Sequence, residues 1–144
     1  MNPLQVRAVF GLAVLAVLAL LLGAAACGGD GDDGDDAKQT VRDFVEATNQ
    51  RDGDRLCGDL LTREYIEKAT GTTGDAAQET CKQQLDLLTG LRLRLVSVGA
   101  STVDGDEATV RAVIATGGQR TRRVFTLAKE DGDWKLLEGR AAKQ

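Results

Sequence analysis

Hydrophobic and polar positions divide this chain into three regimes. Residues 8–22, AVFGLAVLAVLALLL, form an unbroken apolar run of fifteen, and residues 28–36, GGDGDDGDD, contain no apolar side chain. From Ala37 onward the apolar positions recur first with helical and then with strand spacing. Val41, Phe44, Val45 and Ala47 predict a helix over 37–50, and Asn49 to Gly53 reads as a break. Asp54 is placed to cap a short helix through Leu61, with Leu56, Cys57, Leu60 and Leu61 inward. Thr62 to Ala69 continues helically with Tyr65 and Ile66 as its apolar points, and Thr70 to Gly74 is a loop. Asp75 followed by Gln78 resembles a capping box. The helix it opens runs to about Leu88, burying Ala77, Cys81, Leu85 and Leu88, and Gly90 ends it.

After Gly90 the period falls to two. Leu91, Leu93 and Leu95 alternate with Arg92 and Arg94, in a strand running to about Thr102. Asp104-Gly105 marks a hairpin. A second strand covers Glu107 to Ala115, with Val110, Ala112 and Ile114 on one face, and Gly117-Gly118 turns the chain. A third covers Arg120 to Lys129, with Phe125 and Leu127 inward; Asp131-Gly132 is another hairpin turn. Trp134 to Leu137 is the last strand, and the tail from Gly139 reads as disordered. Helices followed by four antiparallel strands define an α+β class, with N-terminal helices packed on one face of a curved sheet.

The N-terminal regime is a leader. Arg7 supplies a positive start, the apolar run a middle, and Gly23 to Ala26 a small-residue end, the layout of a secretory signal peptide. Fifteen apolar residues are short for a spanning helix, which takes about 20. Extended through Ala26, the run reaches nineteen, which leaves a retained membrane anchor as the rival reading. Ala24-Ala25-Ala26-Cys27 resembles the bacterial lipobox, with Ala24 where Leu is commonest. The resemblance implies cleavage before Cys27 and a diacylglyceryl (and palmitate-bearing) Cys27. It places the domain at the cell membrane, lipid-anchored and facing outward; two or three acyl chains anchor stably where one is marginal. The predicted organisation is a lipoprotein signal peptide over 1–26, a lipidated Cys and Gly/Asp-rich flexible tether over 27–36, and a folded domain over 37–144. The tether is not an EF-hand loop, because the twelfth position counted from Asp30 is Val41 rather than Glu.

Charge follows the same partition. Of 18 basic and 22 acidic residues, Arg7 lies in the leader and five Asp lie in the tether, so residues 37–144 carry 17 of each sign. An overall acidic chain with 3% aromatic residues has neither the bulk charge nor the stacking platform for nucleic acid. With no His, the commonest nitrogen metal ligand and the usual neutral-pH proton shuttle are both missing. Cys57 and Cys81 remain after Cys27 is lipidated. In an exported domain a disulfide is the default for such a pair, with two buried thiols as the rival. A zinc site is weaker, since two Cys without His supply too few ligands. No cofactor or metal is expected.

The helix with Phe44-Val45-Glu46-Ala47, its break at Asn49-Gln50-Arg51-Asp52-Gly53-Asp54, and the closing hairpin Asp131-Gly132-Asp133-Trp134-Lys135-Leu136 resemble the NTF2-like (SnoaL-type) cone fold. The Cys57/Cys81 pair is similar to that of small exported members carried by bacterial lipoproteins. The resemblance covers about Ala37 to Glu138 and implies a cone that can enclose a pocket, with Tyr65 and Trp134 as its candidate lining. It also implies a sheet face that many members use for homodimerisation.

An isomerase in such a pocket needs a carboxylate base and a donor to an oxyanion. Asp43, Glu46, Asp59, Tyr65, Glu67 and Asp86 are the available side chains, and spacing brings no pair together. Tyr65 and Trp134 otherwise read as core residues. No nucleophile motif and no phosphate-cradling glycine loop follows a strand. Arg92, Arg94, Arg111, Arg120 and Arg122 share the parity opposite the leucines, and Arg123 has the other parity. They read either as a solvated sheet face or as a platform for an anionic partner, whether lipid headgroups, an envelope polymer or an acidic protein. The expected function is a non-catalytic, lipid-anchored binding or accessory domain of the cell envelope. The alternatives are a small-molecule pocket with isomerase- or hydrolase-like activity and a purely structural subunit of an envelope complex.

Overall fold

A computed structural model describes residues 30–143; the expected signal peptide, Cys27 and the first residues of the expected tether lie outside the described residues. The elements are α1 (Asp30–Gln50), a π-helical segment (Arg55–Leu60), α2 (Arg63–Thr70), α3 (Gly74–Leu87), β1 (Leu93–Asp104), β2 (Glu107–Thr116), β3 (Gln119–Glu130) and β4 (Asp133–Ala141). The strands form one antiparallel meander in the order β1-β2-β3-β4. Irregularities between Leu95 and Ser97, between Val98 and Ser101, and beside Leu127 curve it. The α+β architecture read from the sequence is the one observed.

α1 lies across the concave face, running antiparallel to β1. Ala37, Val41, Val45 and Ala47 are buried, on the face expected from their spacing. The helix begins seven residues earlier than predicted, at Asp30 rather than Ala37. The expected flexible tether is therefore corrected from Asp30 onward. Two physical terms oppose the disordering effect of its composition. Asp is favoured in the first turns, where the helix dipole is positive. Asp33 is also held by Lys129, 2.9 Å away on β3. Gly34 is buried against β1, where an added Cβ would stand 2.8 Å from Ser101 Oγ. At the other end Asn49 clamps the start of β1, donating to Leu93 O (2.7 Å) and accepting from Leu93 N (2.8 Å).

Arg51, at φ 55°, ends α1 in a left-handed conformation. The π-segment is then opened by Asp52, whose carboxylate accepts from Arg55 N at 3.0 Å. Asp54, the expected cap, makes no such bond and pairs with Lys82 at 2.7 Å instead. The widened turn keeps Leu56, Cys57 and Leu60 all buried, with Leu61 buried just after it. Leu61 then bridges Leu136, and Thr62 N donates to Leu136 O at 2.9 Å, covering the free edge of β4. Thr62 Oγ1 caps α2 at Tyr65 N.

The Asp75/Gln78 capping box does not form. Glu67 Oε1 accepts from Gly74 N at the start of α3, and Gln78 reaches Cys57 O. α3 packs on α2 and the π-segment rather than on the sheet. Its last turn consequently projects into solvent, so Leu88 is 48% exposed rather than buried. Cys57 and Cys81 form a disulfide joining the π-segment to α3. β4 does not stop at Leu137, and the tail is not disordered from Gly139. Arg123 pairs with Ala141, and Ala142 N donates to Arg122 O, because the twelve-residue β3 presents ladder groups that far. Leu127, Leu136, Val41 and Val110 are the largest of the fully buried side chains, Val41 from α1 and the others from the sheet.

Candidate functional site

Three surfaces carry chemistry, and the register of the sheet separates them. The first is the mouth of the cone, where the last turns of α1 diverge from the starts of β1 and β3. A cavity of about 200 Å³ opens there, lined mainly by apolar side chains. Phe44 and Phe125 pack with ring centroids 6.0 Å apart at 58° and form part of its wall. Tyr65, Thr116, Thr121 and Arg123 bring the polar side chains. Arg123 pairs with Ala112 on the concave face, and its guanidinium donates a long bond (3.4 Å) to Gly139 O. No carboxylate lines the cavity. Asp43 and Glu46 are engaged by Arg55, Glu67 caps α3, and Asp59 and Asp86 are exposed. The candidate acids therefore do not converge on Tyr65.

Trp134 does not share this cavity. It sits at the opposite end of the sheet, so the expected Tyr65/Trp134 pocket is corrected to two separate places. There a polar cleft of about 540 Å³ lies between the start of α1 and the β3–β4 hairpin. Trp134 is 6% exposed, Lys129 Nζ lies 5.0 Å over its ring, and Asp33 holds the same ammonium. Lys129 keeps the Asp33 carboxyl below its ordinary value, chiefly through their hydrogen bond. Asp33 in turn raises Lys129. The buried indole N–H of Trp134 has no hydrogen-bond partner among the described residues. Among the described residues no group of three or more Cys, Asp or Glu is arranged to hold a metal ion.

The third surface is the convex face of the sheet, which no helix covers. Arg94 pairs with Ala115, and Ala115 with Arg120. Arg122 lies opposite Val113, and Arg111 lies opposite Val124, which pairs in turn with Arg140. Arg94, Arg111, Arg120, Arg122 and Arg140 are all exposed, and none forms an ion pair among the described residues. Four of the five expected arginines thus share one face. Arg92 is exposed just before β1 begins. Arg140 belongs to the group as well, because β4 continues through the segment expected to be disordered. Thr121 and Arg123 in the cone mouth were discoverable only from their parity with Phe125. The lipidation candidate Cys27 lies outside the described residues. Among those residues no helix is long and apolar enough to cross a membrane.

No protein-family model and no curated protein sequence matches the chain. Solved structures of similar fold do. An NTF2-like protein of unknown function from Cytophaga hutchinsonii aligns over 74% of this chain and 89% of its own, at 13% identity and TM-score 0.46. A candidate ketosteroid isomerase from Kribbella flavida aligns over 78% and 82%, at 18% identity and TM-score 0.47. A protein of unknown function from Mycobacterium tuberculosis aligns over 99% and 76%, at 16% identity and TM-score 0.49.

Proposed function

We propose that this chain is a lipid-anchored, extracytoplasmic, NTF2-like domain of a bacterial cell envelope that binds an anionic partner and does not catalyse a reaction. The observation that carries the reading is the convex arginine face. Five exposed guanidinium groups share it without ion-pair partners among the described residues, and β-sheet spacing presents them together. Arginine forks suit phosphate and carboxylate groups bidentately. The lipobox-like Ala24-Ala25-Ala26-Cys27 supports the anchor, and the Cys57–Cys81 bridge suits an oxidising compartment. The cone mouth supports the non-catalytic half. It has an oxyanion-type donor in Tyr65 and a cation in Arg123, but no carboxylate to act as base.

A second reading rests on the same cavity. Its apolar wall with one half-buried arginine suits a small amphiphilic anion, bound rather than transformed.

Intact mass of unreduced protein, extracted from membranes of its own host, tests the first reading. A species starting at Cys27, heavier by a diacylglyceryl group and lighter by two hydrogens, is expected. A chain starting at Met1 would replace the lipid with a spanning anchor. A processed but unlipidated chain would make it a diffusible protein and favour the cavity reading. Turnover of an enolisable ketone that is lost in Tyr65→Phe would overturn the non-catalytic assignment.

A further inference from the structure

Charge is segregated along the length of the domain. At one end lie the first turns of α1, with five Asp between residues 30 and 36. The β1–β2 turn (residues 104–107) and the β3–β4 turn (residues 130–133) lie at this same end, because Gly34 packs on Ser101 and Asp33 on Lys129. Each of those turns contributes three further acids. At the opposite end, marked by the Asn49–Leu93 clamp and the β2–β3 hairpin, are Arg94, Arg120 and Arg122. Arg111 and Arg140 lie in one row midway along the same convex face, on either side of Val124.

The anchor breaks the symmetry between the ends. On the lipid-anchored reading above, only two glycines separate Cys27 from Asp30. Three residues reach at most about 10 Å, so the acidic end is the membrane-proximal one. α1, at 1.5 Å per residue, sets the arginine end roughly 30 Å farther along. Bilayer charge opposes this arrangement, since an anionic surface repels the acidic near end and attracts the arginines; the short tether alone holds the acidic end inward.

We propose that the convex arginine face docks a linear phosphodiester polyanion lying outside the membrane, rather than the bilayer in which the protein is anchored. Guanidinium forks recognise phosphate oxygens. The residues between them, Val113, Ala115 and Val124, are small or unbranched beyond Cβ and carry no competing carboxylate. Glu138, beyond Thr126 on the β4 side, is the acid nearest that row structure. The face holds no aromatic side chain on which a base or sugar ring could stack, so binding reads charge rather than ring chemistry.

The test uses full-length protein and labelled poly(glycerol phosphate) in two arms. In nonionic detergent, fluorescence anisotropy should report binding at low salt. With about five phosphate contacts, affinity should fall roughly a hundredfold between 50 and 200 mM salt. Arg94→Glu/Arg120→Glu/Arg122→Glu should lose at least about tenfold, and the milder Arg111→Gln/Arg140→Gln should weaken binding and reduce the salt slope. Asp104→Asn/Asp106→Asn, at the other end, should not weaken it. Absence of binding, or binding by both arginine variants as tight as that of the unaltered protein, overturns the proposal whether or not the chain is lipidated. In the second arm the lipidated protein is reconstituted in phosphatidylcholine vesicles with and without phosphatidylglycerol. Polymer capture that persists on the anionic vesicles supports the outward face. Capture lost on them means that the arginines lie on headgroups, which overturns the proposal in favour of the bilayer. Failure of the anchor itself is read separately, by the intact mass.

Discussion

Reduction of the Cys57–Cys81 bridge has a calculable cost. The two residues are 24 apart in sequence and their Cα atoms 6.1 Å apart, within the range a disulfide spans without backbone movement. Closing a loop of about 25 residues removes chain entropy worth roughly 3.5 kcal/mol from the unfolded state. Contacts parallel to the bridge survive its reduction: Lys82 still meets Asp54 at 2.7 Å, and Gln78 still donates to Cys57 O. The loss should therefore approach the entropic figure without large rearrangement. With an unfolding entropy of about 0.23 kcal/mol/K for roughly 110 residues, Tm should fall by about 15 °C. The damage should also be local. α3 packs on α2 and the π-segment but not on the sheet, so its amides should lose hydrogen-exchange protection before those of β2 and β3. The assay is thermal unfolding by circular dichroism, comparing oxidised protein, reduced protein and Cys57→Ala/Cys81→Ala. Ala is preferred to Ser because Cys57 is 1% exposed, and a hydroxyl there would be left unsatisfied. A Tm shift under about 5 °C in both reduced forms would refute the reasoning. It would mean that the unfolded loop is already constrained, or that α3 contributes little to the cooperative unit.

Three other outcomes are expected. The Asp33–Lys129 pair should stabilise the start of α1 between the ordinary carboxylate and lysine values, 3.8 and 10.5. Asp33 is lowered, so its contribution is present above 3.8 and lost as pH falls through its lowered pKa. Lys129 is raised, so its contribution is complete below 10.5 and lost as pH rises through its raised pKa. Fluorescence of Trp134, the single Trp, should report both limbs, and Lys129→Met should flatten them. Leu127→Ala, at a fully buried position, should cost about 2–5 kcal/mol in urea unfolding. Leu87→Ala, at a position 78% exposed, should stay within about 0.5 kcal/mol. Gly139→Ala would set a Cβ 3.1 Å from Phe125 Cε1. It should destabilise by about 1–3 kcal/mol and weaken uptake of an apolar dye by the cone mouth; unchanged dye binding would show that Phe125 does not shape that cavity.

The strands and the core of α1 were legible because their side-chain periods are set by backbone geometry. Val41 and Val45 on α1, and Val110, Phe125 and Leu127 on the sheet, are buried as their spacing requires. The departures share one cause: a distant partner decides what local composition points away from. Gly34 and Asp33 look like linker residues until Ser101 and Lys129 meet them from the sheet. Asp52 and Asp54 are equivalent caps by type, and Lys82, in a different helix, takes Asp54 away. Leu88 satisfies the helical period but has no layer to bury against. Tyr65 and Trp134 are the single Tyr and the single Trp, and nothing local tells that they line different cavities, Tyr65 beside Leu136 in the mouth and Trp134 in the polar cleft.

Parity along β3 shows how one strand can serve two surfaces, and it constrains how the arginines can be tested. Arg122 and Arg123 are adjacent in sequence, yet Arg122 faces Val113 on the convex side while Arg123 faces Ala112 on the concave side and lines the cone mouth. A charge reversal at Arg123 would place a carboxylate beside Phe125 and Leu136 in the cavity. Its loss of binding would then mix a damaged pocket with a damaged platform. Reversal at Arg120 and Arg122 leaves the concave wall untouched, because a β-strand sends successive side chains to opposite faces. A binding defect there, with an unchanged disulfide and unchanged Trp134 fluorescence, isolates the convex face. The same parity separates the two functional readings: a ligand held by Tyr65 and Arg123 should be insensitive to Arg122→Glu, whereas a polyanion on the open face should be insensitive to Tyr65→Phe.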